Sequence, residues 1–408
     1  MTKVLIGGVP YGTNNIGDEA ILAGIVGQLR RMREGLDITV ITTSPEKTAE
    51  KLNVRGVPLS WDEKTKQPLW DDKVKAAHHN TDVYIHGGAT GLHDYPVYMC
   101  TGLRTSQRLG KKTVIYGTGG GPYRHRFYDG RKTRLLGRAS KITLGLVDFR
   151  RIAEGIMTGT IRAEIVRRLR AADLILLRDD ETRKTMMGYG LPGDILHVVG
   201  DAATTVEPAK GEGATRIARE NGLESISRPL VAVCIASQKI VKDLEAVSKV
   251  CDHIVENHGA DIVFFPMNPF TDTEVGVRIR SGMSKKDSAH VLKETYYEPE
   301  EVMAFLPGLS LIISSRLHLI ILGAVTGVPS VGIGRGSGKV KTFLGKFGIE
   351  PAGDYDTVNY ESLETRVDDI WSRRDELKPV ILAAIKKDQD RFREVSGKIK
   401  DVFDALDT

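Results

Sequence analysis

Arg316 and His318 stand where one apolar run, 309–313, gives way to another that Gly327 and Pro329 close. A short apolar stretch with a polar tip, then an apolar run ended by such breakers, predicts strand, turn, helix and strand in succession. In an open parallel sheet ligands bind beyond the carboxyl ends of the strands, and a helix starting there adds unpaired N–H groups and partial positive charge. The position suits an anion: arginine offers a planar fork of donors, and histidine exchanges a proton near neutral pH. The purely structural alternative is that Arg316 caps a carboxylate and His318 is a satisfied polar group. From 302 to 349 there is no Asp or Glu, while Arg316, Arg335, Lys339, Lys341 and Lys346 are all present. These cations therefore either meet an anionic ligand or pair with another part of the chain. Asp18 and Glu19, at the end of a Gly- and Asn-bearing loop, supply carboxylates fit to cap a helix or to act as a base. Arg178 is a second arginine at a strand-to-helix junction.

The elements that must position these residues alternate. A buried strand over 3–9 opens into the loop 10–19 and a helix from Ala20 to Met32; strands follow at 37–42 and 81–86, the latter ending in Gly87, Gly88 and Gly91. A helix over 97–109 leads to a strand at 112–116 and to Gly117, Gly119, Gly120 and Gly121. Strands that finish in glycines let backbone N–H groups approach a ligand. The first loop lacks both the Walker ending and the G-x-G-x-x-G fingerprint. A strand at 172–177 carries Arg178 at its end, and another at 196–199 precedes Gly200 and Asp201. The polar stretch 206–229 reads as a linker. A second sheet restarts at 230–235, with a helix over 239–258, a strand at 261–265 ending in Pro266 and Met267, a helix over 271–283, a short strand at 289–292 and a helix over 298–305. Residues 360–406 are helical with breaks. The division is 1–205, linker 206–229, 230–375 and a C-terminal helix 376–408. The fold class is α/β: two Rossmann-like domains with parallel sheets facing each other, GT-B-like, with a C-terminal helical brace.

A chain of 408 residues exceeds one ordinary core, and 41% hydrophobic with 27% charged residues is a globular composition. The net charge of +5 is uneven: 124–170 holds 13 Lys and Arg against 4 Asp and Glu. That segment, expected as two helices, faces an anionic partner or is a solvated helix surface. Nucleic-acid surfaces interleave aromatics with basic residues, which this segment does sparsely, so nucleic acid is not expected. Cys100, Cys234 and Cys251 have no metal-type spacing and cannot all pair, which fits a reduced compartment. With no signal-like start and no long apolar run, the expected location is cytoplasmic, at most peripheral at the inner membrane face.

The loop Tyr11-Gly12-x-x-Asn15-x-Gly17-Asp18-Glu19, the glycine loops His86-Gly87-Gly88 and Gly117-x-Gly119-x-Gly121-Pro122, Arg178-Asp179, Pro266-Met267, and Ser315-Arg316-Leu317-His318 with Gly327-Val328-Pro329 occur in this order. Together they resemble the polysaccharide pyruvyl transferase family over about 3–348. The resemblance implies transfer from phosphoenolpyruvate onto two sugar hydroxyls, giving a cyclic pyruvate ketal. It makes Arg316 and His318 the donor-binding motif, Arg178 a further donor-facing arginine and Asp18 the acidic residue of the N-terminal loop. His86-Gly87-Gly88-Ala89 lacks the family's more usual third glycine, and the basic segment is longer, departures that bear on the acceptor.

Guanidinium groups suit the phosphate and carboxylate of such a donor. His318 is expected to protonate the enol C3 and Asp18, from the opposite domain, to accept the hydroxyl proton. Asn15, Gly17, His86, Gly87, Gly88, Gly119 and Lys339 complete the expected substrate-binding set. No metal and no cofactor beyond the donor substrate is expected; Asp354-x-Asp356 and Asp388-x-Asp390 match short metal motifs by composition alone. The partners are phosphoenolpyruvate and a saccharide acceptor; lipid linkage of that acceptor, membrane contact through 124–170 and a homo-oligomer stay open. A GT-B glycosyltransferase or nucleotide-sugar epimerase is the alternative activity, and a non-catalytic glycan-binding protein the alternative class.

Overall fold

The computed structural model describes residues 1–62, 67–89, 91–126, 135 and 147–407. Contacts divide the chain into two units, the first made of 1–10, 33–199 and 395–408, the second of 11–32 and 200–394. In the first, β1 (Lys3–Tyr11), β2 (Asp37–Thr42), β3 (Arg55–Pro58), β4 (Val83–Gly87), β5 (Lys112–Thr118), β6 (Leu174–Leu177) and β7 (His197–Val198) form a sheet of order β3-β2-β1-β4-β5-β6-β7. Its described pairings are parallel, with Ile6 opposite Ile85 and Ile85 opposite Val114. Such strands are covered on both faces and read as continuous apolar runs; Leu5, Ile6, Tyr84, Ile85, Ile115 and Leu177 are fully enclosed.

Helix α1 (Ile16–Met32) follows β1 but belongs to the second unit. In the first unit α2 (Pro96–Arg108), α3 (Phe149–Arg170) and α4 (Asp180–Gly188) flank the sheet strands. The basic segment reduces, among the described residues, to the loop before 127 and α3; the rest of that expectation lies outside them. The cations of α3 are partly committed within the unit: Arg162 donates to Tyr123 O at 2.7 Å, Arg170 to Gly190 O at 2.7 Å, and Arg167 and Arg168 meet Glu164.

The second unit carries α5 (Glu212–Glu220), β8 (Leu230–Cys234), α6 (Leu244–Asn257), β9 (Asp261–Phe264), α7 (Pro269–Gly282), β10 (Ala289–Val291), α8 (Pro299–Phe305), β11 (Leu309–Ser314), α9 (Leu317–Val325), β12 (Ser330–Gly334), α10 (Lys339–Leu344) and β13 (Gly353–Asp354). The sheet order is β10-β9-β8-β11-β12-β13, again parallel. Leu319, Ile320, Ile321 and Leu322 of α9 are fully buried, each worth about 1.5–3 kcal/mol of transfer free energy.

Three expectations need correction. The stretch 206–229 is not an open linker: Arg216 of α5 lies between Glu220 and Glu301, at 2.8 and 3.1 Å, and ties α5 to α8. The loop and helix 11–32 do not belong with the first unit, because Ile16 N donates to Met267 O at 2.9 Å and α1 packs on the second. The C-terminal segment does not break: α11 (Tyr360–Asp404) is continuous with Pro379 inside it. Leu363, Val367, Ile370, Leu377, Ile381 and Ile385 are buried on one face, and packing of that stripe offsets the hydrogen bond the proline cannot make. No helix among the described residues is long and apolar enough to cross a membrane. All three cysteines are free and buried.

Candidate functional site

The site in the second unit grows from the loop before α1. Asn15 O accepts from Asp18 N and Glu19 N at 3.0 and 3.1 Å, while its side chain takes Gly17 N at 3.2 Å and donates to Asp18 Oδ2 at 2.7 Å. Glu19 turns back to accept from Gly12 N at 2.6 Å. The two carboxylates thus separate: Glu19 builds the loop, and Asp18 is left to the site. Asn15, expected to bind substrate, spends both ends of its amide shaping this turn. Gly17 has a steric role, since a methyl group there would overlap the His318 ring.

The opposite wall is the turn from β11 to α9. Ser314 Oγ accepts from Arg316 N at 2.9 Å, and Ser315 Oγ accepts from Ala236 N at 2.9 Å, binding the ends of β11 and β8 together. The Arg316 guanidinium donates through Nε and Nη2 to Asp272, at 3.0 and 2.6 Å. Asp272 lies in the first turn of α7 with its side chain 1% exposed, and also accepts from Ser237 N and Asn268 N at 3.1 and 3.0 Å. Burial alone would lower the Arg316 pKa, but Asp272 overrides it and raises it, so the guanidinium stays charged. Among the described residues nothing bonds its Nη1.

His318 opens α9 with its ring against Gly17 and its Nε2 3.7 Å from Oδ2 of Asp201. Asp201 is 3% exposed and caps the turn after β7 through Ala203 N at 3.0 Å. Burial pushes the Asp18 carboxyl above its ordinary range, against the pull of His318 and Arg316. Tyr11 is driven well above the usual phenol value by burial and by Asp18, Glu19 and Asp201. Buried acidic groups, the Arg316 guanidinium and the His318 imidazole thus meet in one domain.

The acid-free cationic stretch resolves differently from a free anion trap. Arg316 pairs with Asp272, Lys341 with Glu350 at 3.2 Å and Lys346 with Asp388, and Arg335 donates to Gln238 O at 2.6 Å. Lys339 is half-buried at the start of α10. Asp388, half of an acidic motif, is held by Lys346 and Arg391.

In the first unit Arg178 is 7% exposed and donates through Nε to Asp179 at 3.0 Å. Its guanidinium lies against Gly119, where a Cβ would overlap it. Asp179 caps α4 through Thr182 N at 2.8 Å; despite burial, Arg178 and Thr182 hold its carboxyl below the usual range. Among the described residues no group bonds Nη1 or Nη2 of Arg178. The glycine loops, expected to offer amides to a ligand, bond each other: Gly88 N donates to Tyr116 O and Gly119 N to Ala89 O, both at 2.7 Å. Gly87 packs on the backbone of Gly8. His86 is fully enclosed against Gly91 and burial lowers its pKa to about 3, so it lines no accessible surface.

Asp201 and Asp272 were missed as partners of His318 and Arg316. A Gly-Asp pair after a strand and an aspartate three residues past Pro269 were the signals, but nothing in sequence distance links them to residues beyond 314.

A family model described as Polysaccharide pyruvyl transferase matches residues 15–144 and 156–337. No curated protein matches the chain. Among solved structures, a Listeria monocytogenes protein assigned as a UDP-N-acetylglucosamine 2-epimerase is 14% identical at TM-score 0.62, covering 99% of this chain and 97% of that one. A ugt transferase from Siraitia grosvenorii, in complex with UDP, is 14% identical at TM-score 0.61, with 99% and 100% covered. HepE from Anabaena in complex with UDP-glucose is 11% identical at TM-score 0.56, with both chains covered completely. At these identities the likeness is one of fold: two parallel-sheet α/β domains of the GT-B-like kind.

Proposed function

The chain belongs to the polysaccharide pyruvyl transferase family, and on that premise we propose that it moves the pyruvyl group of phosphoenolpyruvate onto two hydroxyls of a saccharide, closing a cyclic ketal and releasing phosphate. The observation that carries the reading is the meeting of Asp18, Arg316 and His318 in one domain, with Gly17 seated on the His318 ring and Asp272 aiming the Arg316 fork.

The roles follow from the chemistry of the donor. Arg316 holds one anionic group of phosphoenolpyruvate, its phosphate or its carboxylate, on its free edge. His318 gives a proton to C3 of the enol, which leaves C2 electrophilic and oxocarbenium-like. A sugar hydroxyl adds to C2 as Asp18 takes its proton; the raised pKa of Asp18 makes it a stronger base than an ordinary carboxylate. The second hydroxyl then displaces phosphate from C2, and its proton leaves with that phosphate. The proton gained by Asp18 balances the one His318 gave.

The test is thermal stabilisation of chelator-treated protein by ligand linkage. Phosphoenolpyruvate is expected to raise the melting temperature and UDP-sugars are not. Stabilisation by a UDP-sugar alone would transfer the protein to the glycosyltransferase or epimerase reading. Phosphate release from phosphoenolpyruvate across a panel of glycans then identifies the acceptor.

A further inference from the structure

Outside this site, among the described residues, metal-ligating side chains gather between α6 and α11. His253, near the C-terminal end of α6, and His258, at its C-cap, both place Nε2 2.8 Å from the same oxygen, Oδ1 of Asp368. The three ligand atoms lie within 4.8 Å of one another. We propose that His253, His258 and Asp368 form a binding site for a divalent transition metal of the zinc class, which clamps α11 to α6.

Convergence is the first argument. Two imidazole nitrogens aimed at one carboxylate oxygen need either a proton on each or a single cation in their midst. Two histidines and a carboxylate are a donor set that zinc favours, and three protein ligands leave one position for water. The second argument is how the rings are held. His253 Nδ1 lies 2.9 Å from Asn257 Nδ2 and 3.3 Å from Glu364 Oε1, so the ring is held at that nitrogen. Contacts at the other ring nitrogen are how ligating histidines are oriented. Tyr360 fixes Glu364 in turn, donating at 2.6 Å. His258 is stacked on Trp371 with centroids 4.7 Å apart, so both rings are aimed before any ion arrives. The histidine side chains are 11% and 15% exposed and Asp368 47%, which leaves an entry path on the carboxylate side.

The experiment uses the full chain, stripped with chelator and titrated with zinc chloride at pH 7.5 by calorimetry. One equivalent is expected to bind and to raise the melting temperature. Asp368→Asn and His258→Gln should each weaken binding tenfold or more. A Co²⁺-loaded sample should show visible absorption bands of low-coordinate geometry, lost in His253→Gln. The three substitutions sit apart from the residues assigned to transfer, so phosphoenolpyruvate binding is unchanged in them; this separates failure of the clamp from failure of the proposed activity. Absence of stoichiometric binding, or equal affinity in wild type and the variants, would overturn the site and leave a hydrogen-bonded cluster of protein groups alone. If a variant fails to fold, the Co²⁺ spectrum of wild type decides by itself.

Discussion

His318 is framed on two sides, by a glycine that admits its ring and by a buried aspartate facing Nε2. Gln keeps much of the shape and a donor but cannot carry and release a proton. His318→Gln is therefore expected to lower turnover by about 10²- to 10⁴-fold, the range typical of a lost general acid, while donor affinity measured by calorimetry holds. Asp201 acts through His318 as a positioning residue, so Asp201→Asn should reduce kcat by less and leave the KM for phosphoenolpyruvate near its wild-type value. Near-normal turnover in His318→Gln would place the proton elsewhere. His86 is then a poor substitute, because it is fully enclosed with its pKa driven down to about 3; Asp18 is the better candidate.

At the scale of elements, one carboxylate joins three strand ends. Asp272 receives the Arg316 fork from the β11–α9 turn, the Ser237 amide beyond β8 and the Asn268 amide beyond β9. Breaking a buried pair by removing one partner leaves an uncompensated charge, which costs about 3–5 kcal/mol. Asp272→Asn is expected to lower the midpoint of urea unfolding accordingly and to weaken phosphoenolpyruvate binding, because the guanidinium loses its aim. A loss below about 1 kcal/mol, the size of an exposed pair, would mean that water takes over the role of Asp272.

For the molecule as a whole, acid stability should be governed partly by histidines of the first unit buried in neutral form. His78, bonded to Ser106 Oγ at 2.7 Å, has its pKa lowered to about 4 by burial, and His86 to about 3. Both titrate at 6.5 when unfolded, so the unfolded chain takes up protons first as pH falls. Their contribution is fully present above pH 6.5 and is lost progressively down to about pH 4 and 3. Each pKa unit corresponds to about 1.4 kcal/mol, so His78 alone accounts for roughly 3 kcal/mol. His86→Leu should lose less stability than wild type between pH 7.5 and 4.5 in urea titrations. Parallel losses in the two proteins would show that carboxylates alone drive acid unfolding.

Local patterns determined much of this protein. Apolar runs with glycine and proline at their ends placed both parallel sheets, and the same pattern put Arg316 and His318 at a strand-to-helix junction, where the structure has them. What only the tertiary structure decided depends on residues far apart in sequence. Asp272 answers Arg316 from 44 positions away, so the acid-free stretch looked uncompensated when it was not. Residues 11–32 join the second unit because Ile16 and α1 find their partners there, which puts Asp18 and His318 in one domain rather than in opposite ones. The glycine loops looked open to a ligand, yet their amides at Gly88 and Gly119 bond neighbouring backbone. Hydrogen-bond partners and ring contacts are settled by packing, and packing distances are not written in the spacing of residues along the chain.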